Sequence, residues 1–142
     1  MSTRRAALAT LAAGWPLALH AADAFAARDV AGALAALGVA GEPRPSALVH
    51  LTAPDVAENG AVVPLTLATS APDATHLILL VDGNPVPLVA VHELTPLLVP
   101  RIELRIKMAQ ASPVRLVVRL ADGRALVASK QVAVIQGGCG GD

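Results

Sequence analysis

The stretch Arg101-Ile102-Glu103-Leu104-Arg105-Ile106-Lys107 alternates charged and apolar side chains at every position. Successive side chains of a β-strand point to opposite faces, so the three apolar residues would share one buried face. Residues 114–120 nearly repeat this pattern, with Arg115 and Arg119 expected on the outside. Asp122-Gly123, which follows directly, is a strong hairpin signal. This region is therefore predicted to be antiparallel β-structure.

Outward from these two strands, short runs rich in Val, Leu and Ile recur from residue 47 onward, separated by Pro, Gly, Asn and Asp. The predicted strands are residues 47–52, 62–69, 76–81, 86–92, 101–107, 114–120 and 126–135. About seven short strands with regular turn spacing predict an all-β fold, an immunoglobulin-like β-sandwich over residues 47–136.

Two runs, residues 77–81 and 86–100, do not alternate and are almost continuously apolar. A strand that is apolar on both faces is either central and covered by its own chain, or docked on another subunit. The sequence leaves both alternatives open.

The composition excludes several classes of protein. Hydrophobic residues make up 54% of the chain and charged residues 15%, with a formal net charge of zero. Disordered chains combine low hydrophobicity with high net charge, so this chain is expected to fold. Its only aromatic residues are Trp15 and Phe25, and it has no basic patch, which argues against binding to nucleic acid.

The N-terminal region has the parts of an export signal. Arg4 and Arg5 precede an apolar run, residues 6–19, and alanines follow it. This order is typical of a secretory signal peptide, and the paired arginines are those of a twin-arginine signal. We predict a signal peptide over residues 1–26, a mature chain that starts between Ala22 and Ala27, and a periplasmic location.

Residues 27–46 are predicted to form a short helix and a linker. Helix-forming residues extend over 26–37, and Gly38 is a natural C-terminal stop. The segment 42–46 carries two prolines and is interpreted as the linker.

The sequence shows no conventional catalytic or metal site. His50, His76 and His92 are far apart, lack metal-ligand spacing and are expected at the surface or at strand edges. The serines have no nucleophile-elbow setting, and the carboxylates are isolated. We expect no catalytic residue, no metal and no cofactor in the chain itself.

The C-terminal segment 137–142 is different. It contains the only cysteine of the chain, Cys139, flanked by Gly137, Gly138, Gly140 and Gly141. Glycine removes side-chain bulk and leaves the backbone nearly unrestricted, so the segment is predicted to be a flexible arm that can bring the thiol into a narrow cleft. An unpaired cysteine in an exported protein is either intermolecular or a free thiol with a purpose.

The sequence around Cys139 also allows other interpretations to be compared with a free thiol. A prenylation site would need aliphatic residues after the cysteine, and a metal site would need further ligands. An inert tail would not explain glycines on both sides of a sole cysteine. The main alternative to a covalent carrier is a periplasmic binding or scaffold sandwich whose Cys139 forms an intermolecular disulfide.

The terminal sequence Gly137-Gly138-Cys139-Gly140-Gly141 resembles the end of the SoxY family, carriers of the bacterial thiosulfate-oxidising system. Residues 51–54, 57–64, 84–85 and 87–90 are also similar to segments of that family. The resemblance implies a periplasmic, immunoglobulin-like subunit in a heterodimer with a second small β-protein, SoxZ. It also implies that Cys139 is the covalent attachment point for sulfur intermediates and that the four glycines form the arm.

The resemblance further implies the partner proteins. A c-type cytochrome would load thiosulfate oxidatively onto Cys139, and a hydrolase would release sulfate. A sulfane dehydrogenase would oxidise the remaining sulfur before the hydrolase acts again. Catalysis would then belong to these partners, and the chain itself would carry the intermediates without being an enzyme.

Overall fold

A computed structural model describes residues 21–97 and 99–136 of the chain. Two short helices come first, α1 (Ala21–Ala26) and α2 (Val30–Ala36). Nine strands follow: β1 (Arg44–Pro45), β2 (Val49–Thr52), β3 (Val56–Asn59), β4 (Val63–Thr69), β5 (Ala74–Val81), β6 (Leu88–Glu93), β7 (Arg101–Ile106), β8 (Ser112–Leu120) and β9 (Ala125–Gln136). Within the described ranges, neither helix is long and apolar enough to cross a membrane.

The strands form two sheets that pack as a sandwich. The larger sheet has the order β1-β9-β8-β5-β6, and β3 pairs with the far end of β9. The smaller sheet has the order β2-β4-β7. The predicted hairpin joins β8 to β9, where Gly123 adopts a positive φ of 89° that a residue with a side chain rarely tolerates. The predicted β-sandwich is confirmed.

The larger sheet is covered on both faces. Its inner face and the smaller sheet enclose a core that includes Leu77, Leu79 and Val81. On its outer face, Ile78 and Leu80 pack under the helices beside Leu34 and Leu37. The continuous apolar run of β5 is therefore central and covered by its own chain, which settles the first of the two open stretches.

The second open stretch, residues 86–100, is also largely accounted for within the chain. Ala90 and Leu94 pack against the inner core, while Leu88 and Val91 pack in the helical layer. The segment is apolar because β6, although an edge strand, contacts both layers. Leu97 and Val99, in the connection to β7, remain exposed.

All seven predicted strands are present, with bounds shifted by at most two residues, and β1 and β3 are additional. The linker prediction for 42–46 is wrong at Arg44 and Pro45, and the strand over residues 56–59 falls where no strand was predicted. Both segments pair in parallel with β9, Arg44 with Leu126 and Asn59 with Gln136. β9 pairs with β8 along one edge only, and β1 and β3 pair with residues of β9 that lie near its two ends.

The predicted helix over 26–37 begins later than expected, at Val30. Asp29 caps it, because its Oδ1 accepts a hydrogen bond of 2.6 Å from the Gly32 amide. Gly38 follows with a φ of 74°, as expected of a C-terminal stop. The separate helix α1 places Ala24 in the helical-layer core, within the segment predicted as the end of the signal peptide. The signal peptide and its cleavage site stay predictions, and residues 1–20 lie outside the described part of the chain.

The prediction that Arg119 lies outside is wrong. Arg119 faces away from the inner core, but the turn after α2 covers it, and its side chain is buried. Its Nε donates to the Gly38 carbonyl at 3.2 Å and its Nη1 donates to Thr75 Oγ1 at 3.3 Å. Alternation of polar and apolar residues distinguishes the two faces of a sheet. It does not show whether another layer of the chain, here the helices and the turn after α2, covers the outer face.

Candidate functional site

The predicted site residues, Cys139 with Gly137, Gly138, Gly140 and Gly141, lie outside the described residues. Gln136, the last described residue, is the last residue of β9 and therefore the base from which the arm starts. The structure thus describes how the arm is attached to the sandwich.

The base of the arm is held on one side by β3. Pairing with β8 ends at Val132, and beyond it Ala133, Val134 and Gln136 pair with β3 in parallel. The Gly60 amide donates to the Gln136 carbonyl at 2.7 Å, and the Met108 amide donates to the Gly60 carbonyl at 2.7 Å. Backbone hydrogen bonds therefore continue to the last residue before the arm.

A charged contact secures the approach to β3. Lys130 Nζ on β9 donates to the Ala53 carbonyl at 2.7 Å and lies 2.9 Å from Asp55 Oδ1. The hydrogen bond and the positive charge of Lys130 lower the pKa of the exposed Asp55 carboxyl below its usual value. The connection between β2 and β3 is thereby attached to β9 at Lys130, six residues before Gln136.

Three large apolar side chains around this base are exposed to solvent. Ile135 is 74% exposed, Val62 51% and Val56 49%. Ala57 and Val134, which pair across the two strands, point inward to the core, so alternation turns Val56 and Ile135 outward. Val62 follows in the next turn, where its amide donates to the Asn59 carbonyl at 3.2 Å. We call Val56, Val62 and Ile135 the arm-base patch.

Neither β3 nor its contact with the base of the arm was predicted from the sequence. Val56 and Ala57 precede Asn59-Gly60, which is a turn signal, and an apolar pair before such a turn could have suggested a very short strand. Its parallel pairing with β9, more than seventy residues away, leaves no local pattern.

The histidines are dispersed, as the sequence predicted. His50 is exposed, with Nε2 3.4 Å from Ser70 Oγ, and His92 lies on the edge strand β6. His76 is an exception to the expected surface position, because it is half-buried on the central strand β5. Burial and the nearby Arg119 charge lower the pKa of His76 below its usual value, against a smaller raising effect of Glu93.

No group of three or more His, Cys, Asp or Glu side chains that could hold a metal occurs in the described part of the chain. A bidentate ion pair joins Arg115 to Asp82, with Nη2–Oδ2 and Nε–Oδ1 distances of 2.7 and 2.8 Å, and raises the pKa of Arg115. This pair joins β8 to the residue after β5, a structural role that the sequence did not indicate.

Surface depressions lie on both sheets of the sandwich. An open groove of about 780 Å³ runs over the outer face of the smaller sheet, along Thr66, Glu103 and Arg105. A cleft of about 590 Å³ lies between α2 and the larger sheet, beside Val117 and Arg115. Neither is lined by His or Cys, and Asp82 already occupies the guanidinium of Arg115. Neither depression forms a recognisable active site.

The fold and the arm define a class: a small β-sandwich protein with a single thiol on a C-terminal glycine segment. The family model for the sulfur oxidation protein SoxY matches residues 34–139, a segment that covers the sandwich and ends at Cys139. The chain belongs to the SoxY family, and it is a sulfur-oxidation carrier protein. No curated protein matches the chain.

Solved structures agree with this assignment. The chain is similar to the sulfur carrier protein SoxY from Chlorobium limicola f thiosulfatophilum, with 35% identity and a TM-score of 0.60 over 66% of this chain and 80% of that one. It also shares its fold with the superoxide reductase (neelaredoxin) from Ignicoccus hospitalis, at 13% identity and a TM-score of 0.53 over 61% of this chain and 81% of that one. A putative superoxide reductase from Thermotoga maritima matches at 13% identity and 0.52, over 67% and 89%. The likeness to the two reductases concerns the fold alone.

Proposed function

We propose that the protein carries the sulfur intermediates of thiosulfate oxidation as covalent adducts of Cys139 and presents them to partner enzymes in the periplasm. The observation that supports this most strongly is that the family match extends to residue 139, the sole cysteine of the chain. Catalysis belongs to the partners, and the protein itself needs no cofactor.

The proposed cycle has four steps. The Cys139 thiol and thiosulfate form an S–S bond, with loss of a proton and of an electron pair to a c-type cytochrome. Water then displaces sulfate from this adduct under a hydrolase, which leaves a persulfide on Cys139. A sulfane dehydrogenase oxidises the outer sulfur to a sulfonate, with oxygen from water and electrons passed to its own acceptor. A second hydrolysis releases sulfate and restores the thiol.

The residues around Cys139 favour a carried thiol over a self-activated one. An ordinary cysteine has a pKa of about 8.5, so only a few per cent is thiolate at neutral pH. No Lys, Arg or His is among residues 131–142, so no cationic side chain in that segment lowers the thiol pKa. The partner site that receives the thiol must therefore supply the activation.

The glycines and the anchored base make delivery feasible. Five residues counted from Gly137 span at most about 18 Å when fully extended. Glycine imposes no side chain on the cleft that receives them and permits backbone angles that other residues avoid. Hydrogen bonds to Gly60 and β3 hold Gln136, so the proposed arm starts from a fixed base.

A SoxZ-type β-protein completes the proposed assembly as a heterodimer. Family membership supports partners of the thiosulfate-oxidising system. The arginine-led apolar segment supports export of the chain to the compartment where such partners act.

The test is turnover of Cys139→Ser in a reconstituted system of c-type cytochrome, hydrolase, sulfane dehydrogenase and SoxZ-type subunit. An alcohol cannot form the S–S bond, so thiosulfate-dependent electron transfer should stop while the thermal melt is unchanged. Wild-type turnover in this variant would eliminate the carrier function. A covalent dimer through Cys139 as the only modified form would instead support the scaffold.

A further inference from the structure

The arm-base patch has no evident role in folding. Val56 and Ile135 lie on the outward side of the β3–β9 pair, while Ala57 and Val134 on the inward side already contact the core. Ile135 is 74% exposed although it belongs to a regular strand. Exposed apolar residues that cluster, rather than occur singly, mark interaction sites.

The patch is part of a fixed surface. The Ala133 amide donates to the Asp55 carbonyl at 2.9 Å, and the Gly60 amide donates to the Gln136 carbonyl at 2.7 Å. These bonds connect β3, the turn that carries Val62 and the end of β9. A partner would therefore meet a preformed surface and would not have to order it, which reduces the entropic cost of binding.

The length of chain between Gln136 and Cys139 limits how far from this surface a partner protein can lie when it binds the thiol. Three residues span at most about 11 Å. Any protein that takes the Cys139 thiol into a cleft must bring the rim of that cleft within this distance of Gln136. Ile135 directly precedes Gln136, and Val62 lies in the turn that starts at Asn59, the β3 partner of Gln136. Val56 lies opposite Ala133, three residues before Gln136. A rim brought this close to Gln136 would therefore meet Ile135 first, with Val62 and Val56 beside it.

We propose that the arm-base patch is the docking surface for the partner proteins that receive the Cys139 thiol, and that these partners present an apolar rim around their thiol-accepting cleft. The proposal rests on the proposed function and adds a contact outside the arm. Three side chains make a small interface, at the low end of the range typical of transient complexes. A carrier that visits several enzymes in turn requires such short-lived contacts.

The test uses Val56→Ser and Ile135→Ser, singly and together, in the full chain. Val99→Ser is the matched control, because Val99 is 77% exposed and lies in the connection between β6 and β7. The Thr69 amide, at the C-terminal end of β4, donates to the Pro100 carbonyl in this connection. Because Val62 precedes the other end of β4, the two ends are separated by about 20 Å along the strand. Each variant is titrated as substrate of the c-type cytochrome with thiosulfate, and separately of the hydrolase.

The double variant should raise the KM of both partners for the carrier by about tenfold, equivalent to about 1.4 kcal/mol of binding free energy. Val99→Ser should leave the KM unchanged. The thermal melt and the reaction of the Cys139 thiol with a small disulfide reagent should be the same in all variants.

Several outcomes would overturn the proposal. One is a KM of the double variant equal to that of Val99→Ser. A second is loss of co-purification with the SoxZ-type subunit, which would assign the patch to the permanent partner. A third is a wild-type dimer in sedimentation that the double variant abolishes without a change in KM, which would assign it to a second copy. Full turnover by Cys139→Ser would instead refute the proposed function, so the two failures are distinguishable.

Discussion

Replacing Leu79 by Ala tests how the aromatic-free core is stabilised. Leu79 is fully buried in the middle of β5, between Leu116 on β8 and Ala90 on β6. Apart from Met108, the residues packed in this core are aliphatic or small, and none is aromatic, so no large ring can shift to fill the vacated space. A Leu→Ala change in such a core costs about 2–5 kcal/mol, and a poorly collapsing site lies in the upper half of that range.

A loss of about 3 kcal/mol is a large share of the roughly 5–15 kcal/mol that stabilises a typical domain. For a domain near 100 residues it corresponds to a fall in melting temperature of roughly 12–24 °C. Leu97→Ala is the control, because Leu97 is 95% exposed and the same substitution there should change stability by less than about 0.5 kcal/mol.

The assay is urea denaturation followed by far-UV circular dichroism, because Trp15 lies in the predicted signal peptide and the chain contains no Tyr. A loss below about 1 kcal/mol for Leu79→Ala would contradict the packing argument, since it would fall outside the range for a buried leucine. A loss at Leu97 equal to that at Leu79 would show that Leu97 is covered in solution.

Three further predictions follow from the structure and the sequence. The lowered pKa of His76 means that the unfolded chain binds a proton more readily than the folded one, so stability should fall as the pH drops below about 6.5. His76→Asn should flatten this dependence, and an unchanged dependence of the melting temperature on pH in that variant would contradict the assignment to His76. Gly138→Val and Gly140→Val should reduce partner-dependent turnover through added bulk and restricted φ while thermal melts stay unchanged, and a lowered melting temperature would mean that the arm is packed. N-terminal sequencing of periplasmic protein should give a first residue between Ala22 and Ala27, and Met1 in that fraction would refute the export prediction.

The sequence predicted the strands well because their signal is local. Alternation from Arg101 to Lys107 and the Asp122-Gly123 turn need no knowledge of distant residues. Burial of Arg119 could not be predicted, because it depends on the turn after α2 folding across the outer face of the sheet. The strands β1 and β3 were missed for a related reason: two to four residues become strands only because β9 offers a free edge.

The candidate site was predictable in a different sense. Cys139 was selected because it is the sole cysteine and has glycines on both sides, and its role as the site stays a prediction. The anchored base at Gln136 and the exposed Ile135 were not predictable, because both depend on β9 continuing four residues past its pairing with β8. The candidate residue could therefore be selected from the sequence, whereas the surface around the base of the arm could be described only from the fold.

The most direct test of the carrier function is the mass of the C-terminal tryptic peptide after a single loading reaction. Trypsin cleaves after Lys130, and residues 131–142 contain the only cysteine. After incubation with thiosulfate and the oxidised c-type cytochrome, this peptide should carry an S-thiosulfonate on Cys139 that a thiol reductant removes and that Cys139→Ser never shows. An unmodified peptide in a sample that is oxidising thiosulfate would contradict the assignment of Cys139 as the sulfur carrier.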